Sequence, residues 1–127
     1  AQHREIAMCG VAVLNGAEYE FFHHAPELLA AGGTPDQVEA LRRIGDSDAD
    51  WSMFDPVAQD VIALTHAMTR EVTVPESLML RLQAALGNTQ VVELVGVISA
   101  YNMVSRFLIA LGVTPEDHPP VPQASTG

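Results

Sequence analysis

The stretch VVELVGVISAYNMVSRFLIALG, residues 91–112, is the longest apolar run of the chain and decides its fold class. Glu93, Asn102 and Arg106 interrupt the run and would be costly in lipid without partners, so we expect a buried helix of a soluble protein. Such a helix lies at the centre of its domain or packs a second face against another subunit. Its apolar residues cover more than one stripe: Val91, Leu94, Val95, Ile98, Tyr101, Val104, Phe107, Leu108 and Leu111.

The composition of the whole chain also predicts an all-α fold. Hydrophobic residues make up 48% of the 127 residues and aromatic residues only 6%, a mixture that favours helices over a β-sandwich. The length suits one domain. We predict a helical domain over residues 1–113 and a Pro-rich, irregular tail over residues 114–127.

Capping residues outside the long run divide the domain into about six helices with short connections. Pro26 lies inside the second of them and should kink or restart it. Trp51 and Phe54, in the longer acidic connection, are best interpreted as a hydrophobic plug, with the wall of a pocket as the alternative. The predicted helix boundaries are Asn15 and Gly16 after the first helix, Gly32 and Gly33 after the second, a capping box of Thr34 and Gln37, starts at Asp55 and Pro75, and a stop at Gly87.

Charge and cysteine content exclude several classes of function. Six Lys and Arg residues against sixteen Asp and Glu residues give a net charge of −10, which disfavours nucleic acids and anionic membranes as partners. The single cysteine, Cys9, cannot form an intrachain disulfide or a two-cysteine redox centre. We therefore expect a cytoplasmic protein that binds neither nucleic acid nor membrane.

The segment EYEFFHHAPELLAAGG, residues 18–33, contains the candidate reactive groups. Glu20 and His24 are four residues apart and share a helix face, so the carboxylate is placed to fix the imidazole tautomer. The alternative is an ordinary solvent-facing pair. Tyr19 and His23 form a second pair on another face, where packing is the simpler role.

Metal and nucleotide motifs are absent from the sequence. His23 and His24 point in different directions on a helix and cannot chelate one ion together, and there is no H-E-x-x-H motif. A site of Glu5, Glu20 and His24 remains as a metal alternative. No G-x-G-x-x-G, P-loop or G-x-S-x-G motif is present. We predict no cofactor.

Two long segments resemble the carboxymuconolactone decarboxylase family, within the superfamily of the alkylhydroperoxidase AhpD-like proteins. They are HREIAMCGVAVLNGAEYEFFHHAPELLAAGGTPDQVEALRR, residues 3–43, and FDPVAQDVIALTHAMTREVTVPESLMLRLQAALGNTQVVELVGVISAYNMVSRFLIALGV, residues 54–113. The resemblance implies an AhpD-like helical bundle that assembles as trimers or hexamers. Members often carry a further helix upstream of the segment resembled here.

The resemblance also implies a set of site residues. In the peroxidase branch, a glutamate, a C-x-x-C pair and a histidine form a proton relay. By spacing, Glu5 matches the relay glutamate and His24 the relay histidine, while Ala17 and Glu20 occupy the cysteine positions. The missing thiols argue against a cysteine peroxidase, and Cys9 lies outside the motif as a structural thiol.

The residues that remain predict a cofactor-independent lyase. Glu5, Glu20 and His24 would be its acid/base groups, acting on a small carboxylated or lactone substrate. Arg106 would bind the substrate carboxylate, with an internal ion pair as the alternative, and Tyr101 would donate to an oxyanion or serve as a core aromatic residue. Two other functions stay open: a non-catalytic binding or scaffold protein, and a metal-assisted enzyme using Glu20 and His24.

Overall fold

The computed structural model describes residues 1–112 of the chain. The predicted Pro-rich tail, residues 114–127, lies outside these residues. The described part is all helical and contains no strand, which confirms the predicted fold class. Its elements are α1 (Gln2–Asn15), α2 (Glu18–Ala30), α3 (Pro35–Leu41), α4 (Pro56–His66), a π-helical turn (Ala67–Glu71) and α5 (Glu76–Leu111).

The capping residues read from the sequence begin and end these helices as predicted. Gly16 ends α1 in the left-handed conformation, with φ of 69°. Thr34 accepts a hydrogen bond from the Gln37 amide, and the Gln37 side chain accepts one from the Thr34 amide, completing the capping box. The Asp55 carboxylate caps α4 by accepting from the Ala58 amide.

Two predicted breaks behave differently in the structure. Gly87 leaves the helical conformation, with φ of 81° and ψ of 160°, and so divides α5 into two helical segments that meet at a kink. Residues 1–112 thus contain five helices, the last of them divided at Gly87, against about six predicted. Pro26 does not restart α2, which runs from Glu18 to Ala30 with the proline inside it.

The acidic connection between α3 and α4 supplies the predicted plug. Phe54 is buried, and its ring lies 6.0 Å from that of the half-buried Trp51. The pair closes the core at the start of α4. This packing gives both aromatic residues a structural role.

The centre of the domain is α1 and not α5. Eight of its fourteen residues are buried, and it packs against α2, α3, α4 and α5. α5 buries one stripe, including Leu94 and Ile98, and leaves Val92, Met103 and Phe107 more than half exposed. Of the two placements expected for residues 91–112, the one at the centre of the domain is therefore wrong. Packing of the second face of α5 against another subunit stays a prediction.

The apolar character of α5 also bears on membranes. By length and composition alone, this helix could span a bilayer, a property that core helices of soluble proteins share. Glu93 and Arg106 are exposed on it and would have to enter the lipid.

Polar side chains join the end of α1 to the π-helical turn and to α5. Arg70 donates to the Leu14 carbonyl at 2.6 Å, next to the C-terminal end of the α1 dipole. The Asn102 amide donates to Thr69 at 3.0 Å and its oxygen accepts from Asn15 at 3.0 Å. These contacts fix α5 against α1 and so set the position of the α5 side chains near α2.

Candidate active site

Glu5 and His24 are brought together by the tight connection between α1 and α2. Only Gly16 and Ala17 separate the two helices, so they run antiparallel and pack side by side. His24 Nδ1 lies 2.9 Å from Glu5 Oε1, and the two side chains are 19% and 14% exposed. The pairing places the histidine of the second helix on the glutamate of the first.

The Glu5 contact determines which nitrogen of His24 is available for chemistry. An ionised carboxylate can only accept, so the hydrogen in this bond belongs to Nδ1. Nε2 is then the nitrogen that can take or give a proton. The sequence pattern assigned the orienting role to Glu20 on the same helix face, whereas the hydrogen bond to His24 comes from Glu5.

Glu20 is buried against α5. It is 3% exposed, and the hydroxyl of the fully buried Ser105 donates to its Oε1. Its Oε2 has no hydrogen-bond partner within residues 1–112. Burial raises the pKa of Glu20 above its ordinary value, while the Ser105 hydrogen bond and the positive charge of His24 oppose that rise.

Tyr101 lies beside both carboxyl groups. Its ring meets the His24 ring edge to face, with centroids 5.2 Å apart and an interplanar angle of 88°. Burial raises the pKa of the Tyr101 phenol, the charges of Glu20 and Glu5 add to the rise, and Arg4 opposes it. The phenol therefore keeps its proton and is a hydrogen-bond donor at neutral pH.

Arg106 lies apart from this cluster. Its Nη1 donates to the side-chain oxygen of Asn102 at 2.8 Å and to the Asn102 carbonyl at 3.1 Å. It makes no ion pair with any carboxylate among residues 1–112. Arg106 is exposed and does not form the alternative internal ion pair among residues 1–112, while its role in binding a substrate carboxylate stays a prediction.

The positions that match the thiol pair of the peroxidases hold no sulfur. Ala17 and Glu20 are both buried. The single thiol, Cys9, is fully buried in α1, and burial raises its pKa to about 12. A thiol in that state is neither a nucleophile nor a metal ligand, which agrees with a structural role.

The acidic and histidine residues of the described region do not form a metal-binding group. Within residues 1–112, no three His, Cys, Asp or Glu side chains are arranged to hold an ion. Glu5 and His24 hydrogen-bond each other, and Glu20 turns to Ser105. The metal-assisted alternative thus lacks a third donor in this part of the chain.

Ser105 is the site residue that sequence reasoning missed. It is separated from Glu20 by 85 residues, and a hydrogen bond over that distance leaves no local spacing signal. One hint was available, because Ser105 lies four residues after Tyr101 and shares its face on an otherwise apolar helix. A small polar side chain on that face needs a buried partner.

Comparison with known proteins bears on the half of the chain that contains these acid/base groups. The family model described as the carboxymuconolactone decarboxylase family matches residues 1–67, which include Glu5, Glu20 and His24. No significant match was found among curated proteins or among solved structures. Since the match covers more than half of the chain and includes its acid/base groups, the protein belongs to the carboxymuconolactone decarboxylase family.

Proposed function

We propose that this protein is a cofactor-independent lyase that removes carbon dioxide from a small carboxylated lactone or related acid. The observation that carries the proposal is the 2.9 Å contact between His24 Nδ1 and Glu5 Oε1, in a half-buried site bordered by the Tyr101 ring. Family membership supports decarboxylase-like chemistry. The missing thiol pair removes the peroxidase alternative.

The reaction needs a proton donor and an oxyanion partner. When the bond between the substrate carbon and its carboxylate breaks, carbon dioxide leaves. The electron pair of that bond is delocalised onto the lactone carbonyl oxygen. The Tyr101 hydroxyl donates to that oxygen. His24 Nε2 delivers a proton to carbon, and the Glu5 carboxylate stabilises the imidazolium before transfer.

Glu20 holds a second proton at the same site. A carboxyl group that is 3% exposed, with one oxygen unpartnered, favours its neutral form. In that form it returns to His24, through a bound water, the proton that His24 gives to the product, and solvent then restores the proton of Glu20. Ser105 keeps the group in place.

The first experiment is turnover of γ-carboxymuconolactone, followed by ultraviolet absorbance with and without a chelator. We expect chelator-insensitive loss of the substrate that disappears in His24→Ala and falls in Glu5→Gln. His23→Ala is the matched control, because the neighbouring His23 ring is exposed and meets the Tyr19 ring edge to face, with centroids 4.5 Å apart. Its activity should match that of the unmodified protein.

The outcomes separate the proposal from its rivals. Full activity in both His24→Ala and Glu5→Gln contradicts the site. A ligand that binds tightly without any turnover favours the non-catalytic binding protein. Activity that the chelator abolishes favours the metal-assisted enzyme.

We also propose that the enzyme works as a homo-oligomer. The C-terminal half of α5 leaves Met103, Phe107 and Leu111 between 59% and 72% exposed, and Val92 continues the same apolar surface. A second copy that covers this surface removes an aggregation liability.

A further inference from the structure

A long groove lies next to the His24 site, and no step of the mechanism above uses it. It has a volume of about 690 Å³ and runs along α5 from Gln90 to Tyr101, about 16 Å of helix. Leu86, Leu94 and Val97 give it an apolar floor. Cavities of this size hold molecules larger than a single small ring.

The polar end of the groove is at Tyr101. Arg4 and His3 line that part of the wall from α1, and the charge of Arg4 acts on the Tyr101 phenol. Arg4 and Glu5 are adjacent on α1 and point in directions about 100° apart, so one faces the groove and the other faces His24. Tyr101 is shared, because it lines the groove and contacts the His24 ring.

Arg4 is available to a ligand. The six cationic side chains of the sequence are all arginines. Within residues 1–112, Arg4 makes no hydrogen bond or ion pair and is exposed. The other five have hydrogen-bonded partners: Arg42, Arg43, Arg70, Arg81 and Arg106.

The charges give the groove a direction. Glu93 also lines it, eight residues before Tyr101 and therefore about 12 Å away along the helix. A ligand carboxylate is attracted to Arg4 and repelled by Glu93. An anionic head at Tyr101 and an apolar tail towards Gln90 satisfy both charges and the apolar floor.

We propose that this groove binds a carboxylate with an extended apolar body, with Arg4 as the partner of the carboxylate. The inference deepens the proposed function, on which it rests for the role of the neighbouring His24. It places substrate recognition on α1 and moves the anchoring arginine from the predicted Arg106 to Arg4. The implied substrate is therefore an acid of the proposed class that carries an apolar extension.

The test uses sodium decanoate as the probe and calorimetric titration of the full chain. Arg4→Gln should weaken decanoate binding about tenfold, the loss that one charge-assisted hydrogen bond carries. Arg81→Gln is the matched control, because it makes the same change at an exposed arginine that pairs with Asp60. Decanol, which lacks the charge, should bind Arg4→Gln and the unmodified protein equally.

Failure of the groove and failure of the proposed reaction give different results. His24→Ala should keep decanoate affinity whether or not the protein is a lyase. Absence of decanoate binding, or equal affinity in Arg4→Gln, overturns the groove. If the protein binds no decanoate and Arg4→Gln changes the mass of the oligomer, the proposed ligand is also overturned. The occupant of the groove is then a second copy of the chain.

Discussion

Replacement of Ser105 by alanine tests the buried carboxyl group on which the site depends. Ser105 is fully buried and its hydroxyl is the hydrogen-bond partner of Glu20 in the described chain, so Ser105→Ala leaves that carboxyl without one. A hydrogen bond to a neutral group contributes about 0.5–1.5 kcal/mol, and one to an ionised group about 1.5–3 kcal/mol. The loss therefore depends on the protonation state of Glu20.

The direction of the pH effect follows from the causes of the pKa shift. Burial raises the pKa of Glu20, so the folded protein favours the neutral acid, and stability falls as the pH rises from about 4.5 through the native pKa. The Ser105 bond opposes that rise. Without it, the ionised form is destabilised more than the neutral form, so the deficit of Ser105→Ala grows with pH.

The assay is urea unfolding followed by circular dichroism at fixed protomer concentration, at acidic and neutral pH. Ser99→Ala is the control, because Ser99 is exposed on the same helix and reports the helix propensity gained by alanine. Relative to Ser99→Ala, we expect Ser105→Ala to lose about 1 kcal/mol where Glu20 is neutral and about 2 kcal/mol where it is ionised. Adding Glu20→Gln should remove the pH dependence, and a Ser105→Ala variant as stable as Ser99→Ala at every pH refutes the reasoning.

Three further predictions concern packing and assembly. Cys9 should resist iodoacetamide in the native protein at pH 8 and react only in denaturant, since its pKa is about 12; stoichiometric labelling of the folded protein contradicts its burial. Gly10→Ala should lose about 1–3 kcal/mol of unfolding free energy, because the added Cβ would lie 2.9 Å from Ile44 Cδ1. Gly96→Ala, with open space around the added Cβ, should gain up to about 1 kcal/mol. Equal urea midpoints for the two variants would contradict the predicted clash. Phe107→Glu should reduce the mass measured by sedimentation to that of a smaller assembly, and an unchanged mass places the subunit contact elsewhere.

Local signals explain why the helix ends were predictable from the sequence. The capping box at Thr34, the cap at Asp55 and the left-handed Gly16 each depend on residues within a few positions of one another. Gly87 was read correctly as a conformational break, but the helix on its far side resumes directly. Whether two helices count as one depends on hydrogen bonding across the break, which propensity does not report.

Long-range pairing explains what the sequence did not reveal. Glu5 and His24 share a helix hairpin with a two-residue connection, and the family spacing placed them together. The roles of Ser105 and Arg4 depend on how α5 packs against α1 and α2. Because of the same packing, α1 lies at the centre of the domain, although its apolar run is shorter than that of α5.

The two carboxyl groups of the site differ in environment, and this difference assigns their roles. Glu5 is partly exposed and hydrogen-bonded to an imidazole that can become positively charged, a setting that suits an anion. Glu20 is enclosed, with one hydroxyl partner and one unpartnered oxygen, a setting that suits the neutral acid. Burial thus favours the neutral acid at Glu20, whereas Glu5 accepts from the His24 imidazole, and acid/base enzymes use such a difference in environment to separate two carboxyl groups. In the proposed reaction, the carboxyl group at position 20, where the peroxidase branch places a cysteine, would therefore serve as a proton store.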